Sequence, residues 1–145
     1  MLVTKILNDR KWNFFIAEKE VLFLYRYEQL ERHLKNREVR EFLRSCGYES
    51  FEVASVLVRL RRRYQLYAGI SKEFPHELGV LLGYPVGDVQ GFIDNRGENS
   101  LTSRYWKVYQ NPKEAEKIFD LYDRVKEQAL KEIMCGRTLS HVAVS

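Results

Sequence analysis

Cysteine, proline and long apolar runs are all scarce in this sequence. Its 145 residues include 2 cysteines and 3 prolines, and so few thiols are typical of a reducing compartment, where a single disulfide would be unusual. Uninterrupted apolar runs such as residues 21–25 are far too short to cross a bilayer, and residues 1–9 lack the apolar region of a signal peptide. We therefore expect a cytoplasmic protein that makes no membrane contact.

Ligands for a metal ion are also sparse. Neither cysteine belongs to a metal-ligand pattern, and His33, His76 and His141 are scattered along the chain. A Cys135/His141 pair is better explained as part of a tail than as a metal site. We predict no metal and no cofactor.

The length and composition fit a single folded domain. A chain with 45% hydrophobic and 13% aromatic residues is typical of globular proteins and is long enough to bury a core. We expect one domain over residues 1–136 and a mobile tail over residues 137–145, which have no periodicity. The net charge of +4 comes from the first half of the chain, and this excess is too small to be typical of a dedicated nucleic-acid binder.

The first half of the chain predicts a β-hairpin. Residues 13–17 and 21–25 are rich in apolar and aromatic side chains and are separated by the charged turn 18–20. The second strand is apolar at every position, which is typical of a strand covered on both faces. A strand near residues 2–7 is a further candidate.

Helical spacing of apolar residues begins after the hairpin. Leucines, valines and phenylalanines then recur three and four residues apart, which predicts two helices over residues 28–46 and a third over residues 52–67. Asn36 is expected to cap the second helix, and Gly47 is expected to end it in a left-handed conformation.

A long final helix is predicted from residue 112 to about residue 134. Asn111 is expected as its N-cap, Pro112 as its first residue and Glu114 as the side chain that reaches back to the cap, while Gly136 ends it. Its apolar stripe consists of Ala115, Ile118, Phe119, Tyr122, Val125, Ala129 and Ile133.

These elements together predict an α+β fold. We expect a small antiparallel sheet, formed by the N-terminal hairpin and extended by a candidate strand near residues 105–109, packed against four to six helices. A mostly helical structure is the alternative.

The stretch from residue 77 to residue 92 has the spacing of a helix-turn-helix. Leu78 and Leu82 would face inward, Gly79 would allow close crossing and Gly83 would make the turn. The exposed positions of the second helix would be Pro85, Val86, Gly87, Asp88, Gln90, Gly91 and Asp94. Because these positions include two aspartates and no arginine or lysine, they do not favour DNA reading.

His76, Glu77 and Asp88 are the candidates for an enzymatic site. His76 would act as general base, with a carboxylate as the orienting or acid group. Adjacent helical positions point about 100° apart, so Glu77 is badly placed to orient His76, and no serine or threonine nearby lies in a nucleophile motif. The simpler interpretation is that Pro75 opens a helix and that His76 and Glu77 decorate its first turn.

Residues 103–109 alternate as in a short strand. Trp106 and Val108 would face the core, and Tyr105, Lys107 and Tyr109 would form a surface that stacks on a ring or binds an anion. The loop before this strand adds side-chain amides, so the candidate binding residues are Asn95, Asn99, Tyr105, Trp106, Lys107 and Tyr109. Simple packing of the aromatic residues is the alternative interpretation.

A basic ridge is the candidate for nucleic-acid contact. Arg59, Arg62 and Arg63 fall opposite the apolar stripe of the third helix, and Arg61 lies at its flank. The ridge could neutralise phosphates, but a solvated helix face is the ordinary explanation of such charges.

The sequence resembles a family of uncharacterised, mainly clostridial bacterial proteins that is catalogued as domain of unknown function 3793. The resemblance lies in residues 74–79 (FPHELG), 82–85 (LGYP) and 105–109 (YWKVY), and it extends more weakly back to the hairpin. Family members are expected to carry a Cys-x-Pro-Thr-like segment before the matched part, which this sequence lacks. The resemblance therefore implies no cysteine nucleophile for His76, and Cys46 on a helix is not a suitable replacement.

Three functional hypotheses follow. The first is a non-enzymatic binding or regulatory protein that engages a protein partner or a small ligand through the surface of residues 76–109. The second is nucleic-acid binding through the basic ridge, and the third is a hydrolase or transferase that uses His76 as general base.

Overall fold

The protein has an α+β fold, as predicted. The computed structural model describes residues 13–18, 21–69 and 73–138, and for residues 13–22 it describes the backbone alone. Six helices and four strands occur within these residues. The described residues form two compact units, one that ends at Val89 and one that begins at Gln90. The single domain over residues 1–136 stays a prediction, and most of the predicted tail, residues 139–145, lies outside the described residues.

The first unit begins with the predicted hairpin. Strands β1 (Asn13–Glu18) and β2 (Val21–Tyr25) pair in antiparallel fashion, with Asn13 opposite Tyr25 and a register shift near the turn. Phe23 is buried but Leu24 is exposed, so the prediction that β2 is covered on both faces is wrong at Leu24. The candidate strand near residues 2–7 lies outside the described residues.

Three helices follow the hairpin. They are α1 (Tyr27–His33), α2 (Arg37–Ser45) and α3 (Val53–Gly69). Asn36 caps α2 as predicted, because its Oδ1 accepts hydrogen bonds from the amides of Glu38 and Val39 at 2.9 and 3.3 Å. Gly47 has the predicted left-handed conformation, with φ +83°.

Two short helices follow, α4 (Glu77–Leu81) in the first unit and α5 (Val86–Asp94), which begins in the first unit and ends in the second. Gly83 makes the turn between them with φ +91°, as predicted. Leu82 is exposed, and Val80 and Leu81 are buried instead. The prediction that Leu82 faces inward is therefore wrong, because the helix ends at Leu81 and the next residue turns outward.

The core of the first unit is formed by the apolar faces of these helices. Its buried side chains include Phe23, Leu30, Leu34, Val39, Phe42, Leu43, Val53, Val56, Leu57, Leu60, Val80, Leu81 and Val89. The helical spacing seen in the sequence is thus the spacing of the core.

The second unit contains a two-residue ladder and the longest described helix. Strands β3 (Thr102–Ser103) and β4 (Lys107–Val108) pair with each other, so the strand predicted near residues 105–109 forms a sheet separate from the hairpin. Helix α6 (Pro112–Met134) follows. Its predicted stop is confirmed at Gly136, which has φ +84°.

Asn111 is the N-cap residue of α6 and Pro112 follows it at the start of the helix, as predicted. Asn111 has a left-handed backbone conformation, however, and its side chain makes no capping hydrogen bond. Its carbonyl oxygen accepts the first bonds of the helix instead, from the amides of Glu114 and Ala115 at 3.0 and 3.2 Å. The fixed φ of Pro112 suits the first helical position and allows the helix to begin without the side-chain cap.

Candidate functional site

The predicted alternation of residues 105–109 is present, and it makes Trp106 a core residue. Trp106 and Val108 are buried, whereas Tyr105 and Lys107 are exposed. The Trp106 ring lies 4.5 Å from the Phe119 ring, centroid to centroid, in an edge-on arrangement. Trp106 therefore holds β4 against α6 and does not offer its ring to a ligand.

Several of the predicted binding residues use their polar groups within the chain. Tyr109 donates its hydroxyl to the Glu98 carbonyl at 2.9 Å, and Asn95 donates its side-chain amide to the Gly91 carbonyl at 2.8 Å. Lys107 donates to the Gly97 carbonyl. These bonds fix the loop of residues 95–99, in which the exposed Asn99 has φ +57°.

Aromatic rings pack closely against two glycines, Gly91 in α5 and Gly97 in the loop. A Cβ on Gly91 would lie 2.5 Å from Tyr109 side-chain atoms, so the Tyr109 ring needs a glycine there. Gly97 has φ +75°, and a Cβ there would lie 3.0 Å from the Phe92 ring. Tyr109 thus acts mainly as a packing residue for α5.

Arg104 forms ion pairs with three carboxylates of α6. It donates to Glu116 at 2.8 Å and to Asp120 at 2.9 Å, and it also pairs with Asp123. Tyr105 donates its hydroxyl to Asp123 at 2.6 Å, and this bond, with the Arg104 charge, holds the pKa of Asp123 below its ordinary value. The cluster ties the β3–β4 turn to α6.

Helix α6 exposes most of the apolar stripe that the sequence predicts. Ala115 and Phe119 are buried, but the residues that follow are not. Four apolar side chains, which we name the α6 patch, are substantially exposed: Ile118 at 36%, Leu121 at 50%, Tyr122 at 41% and Val125 at 59%. Ile118, Tyr122, Val125 and Ile133 of the predicted stripe are therefore exposed, because only the first two turns of the helix pack on a core.

The α6 patch is continuous with one residue of the predicted binding surface. The exposed Tyr105 ring meets the Tyr122 ring edge-on, with centroids 5.1 Å apart. Sequence reasoning missed Leu121, which lies off the main stripe. Its spacing of three residues from Ile118 and four from Val125 was the signal that could have found it.

The enzymatic candidates Glu77 and Asp88 are buried. Glu77 is 0% exposed, accepts hydrogen bonds from Arg63 through both carboxylate oxygens and also accepts the Tyr48 hydroxyl at 3.1 Å. Glu77 lies in the first turn of α4, as expected, whereas the expectation that Asp88 is exposed on α5 is wrong because Asp88 is buried. His76 is half-buried, with its ring 5.5 Å from the Phe74 ring.

The buried carboxylate changes the chemistry of its neighbours. Burial, followed by the negative charge of Glu77, raises the pKa of the Tyr48 hydroxyl well above its ordinary value of 10.0. The same two causes raise the pKa of the Cys46 thiol. Cys46 is consequently a poor nucleophile at neutral pH.

These contacts involve two of the four arginines of the basic ridge. Arg63 pairs with Glu77, and Arg59 lies 5.1 Å from the centre of the Tyr48 ring and donates to the Cys46 carbonyl at 3.3 Å. Arg61 and Arg62 are exposed. Nucleic-acid contact by the ridge stays a prediction, and so do the roles assigned to the other candidate residues.

The described cavities contain none of the individually predicted binding residues, although one of them is lined partly by Leu81, Leu82 and Gly83 of the 76–109 surface. The three cavities, of about 300, 530 and 430 Å³, are lined by residues between Phe23 and Gly83. Among the residues that the structure describes, no three His, Cys, Asp or Glu side chains are placed to hold a metal ion. None of the described helices combines the length and apolar character of a membrane span.

Comparison with known proteins identifies a family for this chain. No curated protein and no solved structure matches the sequence. One family model does match, and the match runs from residue 3 to residue 143. This range includes the motifs around His76 and Trp106 and all of the hairpin, helices and loops described above. The chain therefore belongs to the family described as protein of unknown function DUF3793.

Proposed function

We propose that this protein is a non-enzymatic binding protein that engages another protein through the α6 patch and Tyr105. The observation that carries the proposal is the exposure of Ile118, Leu121, Tyr122 and Val125 on one helix. Large apolar side chains grouped on a surface are typical of protein–protein contacts, in which they exclude water from the centre of the interface.

The shape of the surface supports a protein partner over a small ligand. Small-molecule sites are concave and enclose most of the ligand. The α6 patch lies on an exposed helix face, and the three cavities described above are lined by other residues. A helix face presented in this way fits the groove or helix of another protein.

The contacts of the enzymatic candidates support binding over catalysis. Both oxygens of Glu77 already accept hydrogen bonds from Arg63, and one also accepts the Tyr48 hydroxyl. A carboxylate satisfied in this way has a structural role and is not poised to orient His76.

The test compares protein capture from a native lysate by the wild-type chain and by Val125→Glu. Val58→Glu is the matched control, because Val58 is 70% exposed on α3. We expect Val125→Glu to lose the proteins that the wild type and Val58→Glu both retain. Equal capture by all three would remove the α6 patch as the binding surface.

Trp106→Ala is not a suitable variant for this test. Removal of a buried Trp side chain costs about 3–5 kcal/mol of folding free energy, and Trp106 is buried against Phe119. Loss of binding by that variant would report a damaged fold and not a lost contact.

A further inference from the structure

The α6 patch has the geometry of a helix–helix contact. Its four residues occupy positions i, i+3, i+4 and i+7, which lie on one face of a helix. Ile118, Tyr122, Val125 and Ala129 also follow the alternating spacing of four and three residues that is found where two helices pack along a shared seam. Ala129 is half-buried and continues the face beyond Val125.

The polar groups beside the patch carry both signs. Lys117 pairs with Glu114 at 2.8 Å on one edge. On the other side Tyr105 donates to Asp123, which also pairs with Arg104, while Glu116 and Asp120, the other partners of Arg104, fall on the opposite face of α6. A partner that covers the patch therefore does not need to supply a large charge of one sign.

The exposed apolar area is enough for the centre of a dimer interface. At roughly 200 Å² for each fully exposed large side chain, the size that aromatic residues have, the exposed fractions of the α6 patch and of Ile133 on the same face amount to on the order of 450 Å². An interface that buried all of this area at the usual apolar share of about 60% would cover on the order of 750 Å² per copy. Standard interfaces bury about 800 Å² on each side.

From these three observations we infer that the α6 patch binds the α6 patch of a second copy of this chain. The inference rests on the proposed protein-binding function and names the partner. A dimer with two-fold symmetry brings the same surface of both copies together. A surface that is apolar at its centre and carries both signs at its edges is compatible with itself in such a pair.

The experiment measures the mass of the full chain by sedimentation equilibrium, from low micromolar to several hundred micromolar. We expect the wild type to approach twice the 17.3 kDa of one chain. Val125→Glu and Leu121→Glu are expected to dissociate at least tenfold more readily, because each dimer would then bury two unpaired carboxylates. Val58→Glu on α3 should dimerise like the wild type.

Two results would overturn the inference. One is a wild-type mass of a single chain at every concentration, and the other is dimerisation of both α6 variants with wild-type affinity. Circular dichroism is used to check that each variant is folded. Because Leu121 and Val125 are exposed, we expect their replacement by glutamate to change the stability of the fold little. A monomeric wild type that still captures other proteins through Val125 would overturn only the second-copy inference. A monomer without Val125-dependent capture would overturn the proposed function as well.

Discussion

The strongest stability prediction concerns the buried carboxylate of Glu77. Glu77 lies at the start of α4, is fully buried and is held by Arg63 of α3 and by the Tyr48 hydroxyl. Its contacts thus join three segments of the first unit. Removal of the carboxylate by Glu77→Ala leaves a partly exposed guanidinium and a buried hydroxyl without their acceptor.

The expected cost of Glu77→Ala is about 3 kcal/mol. Breaking a buried ion pair by removing one partner typically costs about 3–5 kcal/mol. The lower end applies here because the Arg63 side chain is 30% exposed and water solvates the stranded cation. The unsatisfied Tyr48 hydroxyl accounts for about 1–3 kcal/mol of this total. Arg63→Ala should cost at least as much, because it strands the carboxylate, which is the more buried charge.

Urea unfolding followed by circular dichroism measures these costs. Arg62→Ala is the matched control, since Arg62 is exposed on the same helix and its loss should change stability by less than about 0.5 kcal/mol. The double variant should reveal a coupling free energy above about 1 kcal/mol between Glu77 and Arg63. The reasoning fails if Glu77→Ala costs less than about 1 kcal/mol, or if Arg63→Ala is no worse than Arg62→Ala.

Three further predictions follow from the same contacts. Because the folded protein raises the pKa of Tyr48 above the ordinary value of 10.0, the unfolded chain loses this proton first. The contribution of Tyr48 to the free energy of unfolding is therefore complete below pH 10 and falls as the pH rises above it. Urea unfolding across this range should show that the stability of Tyr48→Phe falls less steeply with pH than that of the wild type. Equal falls in both proteins would contradict the assignment of this pH dependence to Tyr48. Gly91→Ala should destabilise by about 1–3 kcal/mol through overpacking against Tyr109, and thermal unfolding of Gly91→Ala in a Tyr109→Ala background should show that the penalty is relieved. A thiol reagent at neutral pH should label the exposed Cys135 well before the half-buried Cys46, whose pKa is raised; faster labelling of Cys46, read by mass spectrometry, would refute this.

Local features of the fold could be predicted from the sequence because they depend on neighbouring residues. The hairpin follows from two apolar runs around a charged turn, and the α2 cap follows from Asn36 placed before a helical pattern. Gly47 and Gly83 adopt the left-handed conformations that a helix stop and a tight turn require.

The candidate site could not be predicted to the same extent because its contacts are distant in the chain. Glu77 is 14 residues from Arg63 and 29 from Tyr48, and periodicity does not report which charges pair across such separations. Periodicity also marks an apolar stripe without showing what covers it. The stripe on α6 is an example, since Val125 belongs to it and is mostly exposed.

The central claim is that the α6 patch binds a protein, and site-specific photo-crosslinking tests it most directly. A photoreactive amino acid replaces Leu121 in the full chain, and the same replacement at the exposed Val58 serves as control. The account predicts that irradiation in cells produces an adduct heavier than the 17.3 kDa chain from position 121 and not from position 58. Absence of an adduct from position 121, or equal adducts from both positions, would contradict it.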